Sequence, residues 1–240
     1  MRGFDLRPAT HPGEHRIGDV RDVRALRAAA EGMDTVVHLA GVPERENFAE
    51  RLVPVNIVGT HNVLEVTRML GIRKFVYASS CRVVGGLDWE QERIGLQVGL
   101  CPGDHYGISK ATGELLAGMY ASRFGVSVVC ARLGWFVRNQ QEAAWMEKVP
   151  IGLRIYLSHD DAAQFFTMAV EATGVTAATV FVTSYNSGSA LFDLEPARTA
   201  LGYEPKDSWP QGSRWSAEAQ FPSPVLGPSL MPEGEEQQPD

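Results

Sequence analysis

Lys74-Phe75-Val76-Tyr77-Ala78-Ser79, with Ser80 after it, is the stretch on which the fold reading turns. It is short, nearly continuously apolar and rich in aromatic and β-branched residues, and it ends in two hydroxyls. A run of this length without polar alternation predicts a strand covered on both faces, as in a parallel sheet. Upstream, Thr35-Val36-Val37-His38-Leu39-Ala40 has the same character and reads as another strand covered on both faces. Downstream, Val126 to Leu133 and Thr179 to Thr183 read as further buried strands. Helical rhythms lie between them. Val55, Val58, Val63, Val66 and Leu70 recur at spacings of three to five and predict a helix from Pro54 to Leu70, closed by Gly71. Tyr106 to Phe124 predicts a second helix that stops at Gly125. Asp160 or Asp161 is placed to cap a third through Phe165, Met168 and Val170. Residues 81–104 read as a long loop. Nearer the start, Gly3-Phe4-Asp5 reads as the end of a strand, Ile17-Gly18-Asp19-Val20 as a short strand and Val23 to Ala30 as a helix. Strands alternating with helices imply right-handed βαβ units, hence an α/β protein with a doubly wound parallel sheet.

The chain has 240 residues, 44% hydrophobic and 21% charged, which fits a globular protein that needs no disulfide or metal staple. Its formal net charge is −7. Residues 221–240 hold four acids and no Lys or Arg, which leaves −3 for the body and argues against a nucleic-acid partner. No apolar run approaches the roughly 20 residues needed to span a bilayer, so no membrane partner is expected. Cys81, Cys101 and Cys130 are odd in number and lack metal-ligand spacing, which favours a reducing, cytoplasmic setting and no metal site. Residues 1–215 read as one domain, and 216–240 as a disordered, acidic, Pro-rich tail.

The chemistry centres on Tyr106-Gly107-Ile108-Ser109-Lys110. Positions four apart share a helix face. An ammonium roughly 5 Å from a phenol, at an effective dielectric of about 20, favours the phenolate by about 3 kcal/mol, or some 2 pH units. That would let Tyr106 exchange a proton with a substrate oxygen. Ser80 ends its strand on the carboxyl edge, where open α/β sheets bind ligands, and is placed to hold that oxygen. Read singly, the pair is also a solvated helix face, and the serine a turn residue.

Together with Gly18-Asp19-Val20-Arg21-Asp22, Val36 to Val42, Val55 to Thr60, Phe75 to Ser80 and Arg132-Leu133-Gly134, this segment makes the chain resemble the extended short-chain dehydrogenase/reductase family. These are NAD-dependent epimerases and dehydratases of Rossmann type. The likeness covers about residues 3–205. Within the family it is nearest uronate dehydrogenase-like members, through His38 to Val42, Leu157-Ser158-His159-Asp160-Asp161 and Ala200-Leu201-Gly202-Tyr203. The resemblance implies Tyr106, Lys110 and Ser80 as the catalytic residues, with Lys110 also holding the nicotinamide ribose. It implies Asp5 on the adenosine ribose, Asp19 and Val20 beside the adenine, and Leu39, Ala40, Gly41, Asn56 and Leu133 along the cofactor. A carboxylate at Asp5 favours NAD over NADP, although Arg7 weakens that preference. A homodimer through residues 54–70 and 106–124 is expected by the same analogy.

The sequence also departs from the family. No Gly-x-Gly-x-x-Gly or Gly-x-x-Gly-x-x-Gly occurs, so the first strand and the glycine-rich turn that cradles the pyrophosphate are missing. That strand is central in the order 3-2-1-4-5-6-7, and its loss opens a gap of roughly 10 Å or forces new neighbours to pair. Gly95, Gly99, Gly103 and Gly107 recur every fourth residue in a loop, a spacing taken as coincidence. The uronate group's Ser-Asn-His is here Ser80-Cys81-Arg82; serines it carries become Pro43 and Trp135, and its carboxylate-gripping arginine falls near Ala143 or Ala144. Arg82 or Arg138 is left to replace that charge, and Trp135 is expected to fill space a sugar needs. Two functions follow. One is an NAD-dependent oxidoreductase or epimerase acting on a sugar-like small molecule; the other is a truncated or degenerate relative serving as a binding scaffold.

Overall fold

The computed structural model describes residues 1–8, 13–44, 46–89, 93–149, 151–185, 190–212 and 214. The tail expected over 216–240 lies outside the described residues. The main body is a four-stranded parallel sheet, β3 (Thr35–His38), β4 (Lys74–Ser80), β5 (Ser127–Leu133) and β8 (Ala177–Val182), in that spatial order. Period-two alternation explains how β4 and β5 serve two faces. Phe75, Tyr77, Val128 and Cys130 pack with Val63, Leu64 and Tyr120 of the helices α2 (Thr60–Met69) and α3 (His105–Phe124). Val76, Val129 and Ala131 pack instead with Phe165, Ala169 and Leu201 of α5 (His159–Glu171) and α6 (Glu195–Leu201). This is the doubly wound α/β architecture the sequence predicts.

The sheet is in two pieces. β1 (Arg2–Asp5) and β2 (Glu14–Ile17) pair with each other in parallel, and β1 is not hydrogen-bonded to β3. The small piece is tied on by α1 (Val23–Ala30), whose Ala29 carbonyl accepts from Arg2 Nη1 at 2.8 Å, and by Asn62 Nδ2, which donates to Val20 O at 3.2 Å. β3 is therefore an edge strand of the body. The expectation that it is covered on both faces fails: Val37 is 37% exposed and Leu39, just past the strand, 59% exposed.

Several boundaries also move. The strand expected over 17–20 ends at Ile17, because Gly18 tucks under the Phe4 ring, 2.5 Å from where a Cβ would stand. The helix expected to begin at Pro54 begins at Phe48, capped by Asn47, whose side chain accepts from Glu50 N at 2.9 Å. Phe48–Gly59 winds as a wide π-helix and carries Pro54 inside it before continuing into α2. Ser158, and neither Asp160 nor Asp161, caps α5. Asp161 is instead buried, and accepts from Lys206 N and Ser184 Oγ, pinning the chain end of the domain to α5. The loop over 81–104 contains two short 3-10 turns, Cys81–Val84 and Leu96–Val98. The glycine spacing there is not coincidence at two positions. A Cβ at Gly103 would stand 2.8 Å from Gly85 O, and one at Gly107 2.4 Å from Arg82 O, so bare backbone lets this loop and the start of α3 close on each other. The remaining elements are β6 (Trp135–Phe136) and β7 (Tyr156–Leu157), which pair in parallel, and α4 (Gln140–Lys148).

Candidate active site

The carboxyl ends of β4 and β5, the loop after β3 and the start of α3 carry Ser80, Leu133, Leu39, Ala40, Gly41, Tyr106 and Lys110. β4 delivers Ser79 and Ser80 side by side, with different fates. Ser79 Oγ donates to Glu114 at 2.6 Å, and Glu114 also holds the buried Arg132 guanidinium at 2.9 Å, so Ser79 is committed to structure. Ser80 accepts from Arg82 N at 3.2 Å, and it lines the same cavity as Tyr106. Asp104 caps α3 by accepting from Gly107 N at 2.6 Å, which fixes the first turn and with it Tyr106. One turn on, Lys110 Nζ donates to Ala78 O at 2.8 Å and lies 5.8 Å from the Tyr106 ring centroid.

A cavity of about 200 Å³ opens here. Ser80, Tyr106 and Leu133 line it, together with Glu44, Arg82 and Arg138. Trp89, Trp135, Phe136 and Ile155 supply its apolar wall. Trp135 borders this space. Glu44, Trp89, Phe136 and Ile155 escaped the sequence reading because they lie in loops or short elements without periodicity. Glu44 had one usable signal: it follows Ala40-Gly41-Val42-Pro43 at the ligand edge of the sheet.

The electrostatics differ from the sequence argument. Burial first, and then Glu44 and Cys81, push the Tyr106 phenol above its ordinary value; Ser80 and Arg138 pull it down without offsetting them. The lowering anticipated from Lys110 is outweighed because the phenol is desolvated and the ammonium is turned to a backbone carbonyl. Lys110 is itself pushed down to about 8 by burial. His38, stacked on Tyr77 and bonded to Thr60 Oγ1 at 2.9 Å, is pushed down to about 3 by burial and stays neutral.

Beside this group, Asn56 acts as a clamp. It accepts from Val42 N at 2.8 Å and donates to Val42 O and Ser109 Oγ, each at 3.0 Å. This holds the 39–43 loop so that a Cβ at Gly41 would stand 3.3 Å from Lys110 Nζ. Leu39 and Ala40 lead into that loop, Leu39 exposed and Ala40 packed toward the core. The remaining predicted residues sit on the small piece, away from the cavity wall. Asp5 Oδ1 accepts from Arg7 N at 3.0 Å. Asp19 is ion-paired to Arg21 at 2.6 Å, which holds its carboxyl below the usual range. Val20 is buried against Gly59 and belongs to the core.

A parallel α/β sheet covered by helices on both faces is the framework of nucleotide-cofactor oxidoreductases and epimerases. The comparisons with known proteins agree. The profile of the "NAD dependent epimerase/dehydratase family" matches residues 4–143. Uronate dehydrogenase of Pseudomonas putida is 33% identical over 95% of this chain and 81% of its own length. L-arabinose 1-dehydrogenase (NAD(P)(+)) of Haloferax volcanii is 33% identical over 85% of this chain and 88% of its own. The crystal structure of uronate dehydrogenase from Agrobacterium tumefaciens superposes with a TM-score of 0.75 at 30% identity, covering 86% of this chain and 74% of that one. The chain belongs to the NAD dependent epimerase/dehydratase family, alongside sugar and sugar-acid dehydrogenases.

Proposed function

We propose that this chain is an NAD-dependent oxidoreductase of the epimerase type, acting on a hydroxyl or carbonyl of a sugar or sugar-acid-like molecule through Ser80, Tyr106 and Lys110. The observation that carries the reading is that Ser80 and Tyr106 share one small cavity while Lys110 Nζ stands 5.8 Å from the phenol ring. The nicotinamide end of the cofactor fits the structure: Gly41 leaves bare backbone beside Lys110, and Asn56 holds that backbone in place. Asp5 would accept from the adenosine ribose, a role that favours NAD over NADP. The pyrophosphate end has no glycine-rich turn among the described residues.

When bound, NAD supplies the hydride acceptor for the alcohol carbon. The chain's own residues handle the proton. Ser80 holds the reacting oxygen, and Tyr106 takes the proton from it or returns one to it. Because the phenol is held above its ordinary value, it is protonated at neutral pH and ready to donate to a carbonyl. Alcohol oxidation then needs the phenol deprotonated, so its rate rises with pH. Tyr106→Phe is expected to lose about 10²- to 10⁴-fold in turnover and keep NAD affinity. Unchanged turnover would remove Tyr106 from the mechanism.

The divided sheet favours a second reading, a catalytically impaired relative acting as a binding scaffold. NAD titration by calorimetry separates the two: micromolar affinity supports the enzyme, and no heat supports the scaffold. A homodimer is also proposed. Ile108, Leu115 and Met119 form an exposed apolar stripe on α3, and Val58 is exposed on the neighbouring helix. Leu115→Glu is expected to shift a dimer to monomer in light scattering. Three free thiols suit a cytoplasmic setting.

A further inference from the structure

The cavity wall carries three charged side chains, and their pairing is uneven. Arg138 is held by Glu142, with Nε at 3.0 and 3.1 Å from the two carboxylate oxygens and the Arg138 N–H donating to one of them at 2.7 Å. Arg82 is ion-paired with Asp104, the cap of α3. Both cations are thus balanced by acids outside the cavity. Glu44 has no hydrogen-bond or ion-pair partner among the described residues. Among the wall's charged side chains Glu44 is thus the one without a direct partner, and it faces the Lys110 ammonium and the Arg138 guanidinium only at longer range.

We infer that Glu44 selects an uncharged polyol, a neutral aldose in ring form, and rejects sugar acids. This rests on the oxidoreductase reading and names the substrate class of that same site. The first argument is charge. A carboxylate on the ligand would meet Glu44 with no free guanidinium to offset it, in a half-enclosed cavity where screening is weak. The second is hydrogen-bond type. Glu44, when ionised, only accepts, so it must be met by donors. A sugar hydroxyl donates and accepts; a ligand carboxylate only accepts. The third is shape. Trp89 spends its indole N–H on Val84 O at 2.9 Å, so with Trp135 and Phe136 it presents apolar surface suited to the C–H face of a pyranose. Glu44 also acts on Tyr106, Lys110 and Arg138 electrostatically, which places its charge in the reacting region.

The test compares matched pairs that differ only at the terminal carbon: D-galactose with D-galacturonate, and D-glucose with D-glucuronate. L-arabinose is added as a neutral sugar lacking that carbon. Binding is read by calorimetry and turnover by NADH formation, for the wild type and Glu44→Gln. The neutral member is expected to bind at least 10-fold tighter than its acid in the wild type, and the preference to shrink at least 5-fold in Glu44→Gln. Tighter binding of the acids, or a preference unmoved in Glu44→Gln, overturns the inference while NADH formation keeps the oxidoreductase reading. Neutral-sugar binding without NADH formation does the reverse: it supports the inference and removes that reading. No binding of any neutral sugar overturns the inference.

Discussion

β4 is hydrogen-bonded on both sides and six of its seven residues are buried, whereas β1 is bonded on one side only and none of its four is buried. The body of the sheet is held by paired backbone and by side chains packed on two faces. The small piece is held by α1 and by side chains at its rim, such as Arg2, which reaches Glu14 at 2.9 Å and Glu31 O at 2.9 Å. The division follows the chemistry. Ser80, Tyr106 and Lys110 grow from the body, where position is over-determined by packing. Asp5 and Asp19 grow from the piece whose position depends on few contacts. On the proposed function, the groups that handle the proton sit where position is fixed, and the carboxylate proposed to select the cofactor sits where it is not.

The strongest way to break this contrast is to remove one acid from each region. Glu114 and Arg132 form a buried pair, with side chains 7% and 6% exposed, and Glu114 also accepts from Ser79. Glu114→Ala leaves Arg132 buried without a counter-charge and is expected to cost about 3–5 kcal/mol in urea denaturation. Glu14, about half exposed beside Arg2 and Arg16, is expected to leave the midpoint nearly unmoved when replaced by alanine. Equal losses at the two sites would dissolve the distinction between the regions.

Lys110 sharpens it, because there the body holds a group at a cost. Burial lowers its pKa from 10.5 to about 8. Below the folded value both states are protonated, and the native protein carries the full desolvation penalty. Between about 8 and 10.5 the native state gives up its proton first, so wild-type stability rises with pH and the penalty disappears. Lys110→Met is therefore expected to raise Tm at pH 7, to lose that advantage as pH climbs through this window, and to abolish turnover. A lower Tm at pH 7 would show that the bond to Ala78 O outweighs desolvation.

How much of this was legible in the sequence depended on the kind of signal. β4, α3 and β5 were readable because their apolar residues repeat with periods that only a covered strand or a helix explains. The resemblance also pointed to Ser80 and Tyr106, which both line the cavity. β3 looked buried because composition does not reveal whether a neighbour is present. The helix start at Phe48 was hidden by Pro54, which ordinarily marks a first turn. Gly103 and Gly107 looked accidental because close approach is a property of two segments and sequence shows one at a time. The raised pKa of Tyr106 was out of reach for the same reason: its largest cause is burial, and Glu44 lies far away in the chain.

The smallest expected effect lies at Asp5, and it bears on the comparison from the other side. Its side chain is exposed at the end of β1 and turns back to accept from Arg7 N at 3.0 Å. Asp5→Asn keeps an oxygen for that turn and removes the charge. An exposed charge about 6 Å from a 2′-phosphate of charge about −2 contributes about 1.4 kcal/mol in water, so NADP acceptance relative to NAD is expected to rise about 10-fold. The rise should fade at high salt, since exposed charges are screened within about 10 Å at 0.1 M. Turnover at saturating NAD and the urea midpoint are both expected to stay put, because neither depends on the rim of the small piece. If the cofactor ratio does not move at low salt, Asp5 is not beside the adenosine ribose. If turnover falls with it, the small piece positions the reacting groups after all, and the separation between the two regions fails.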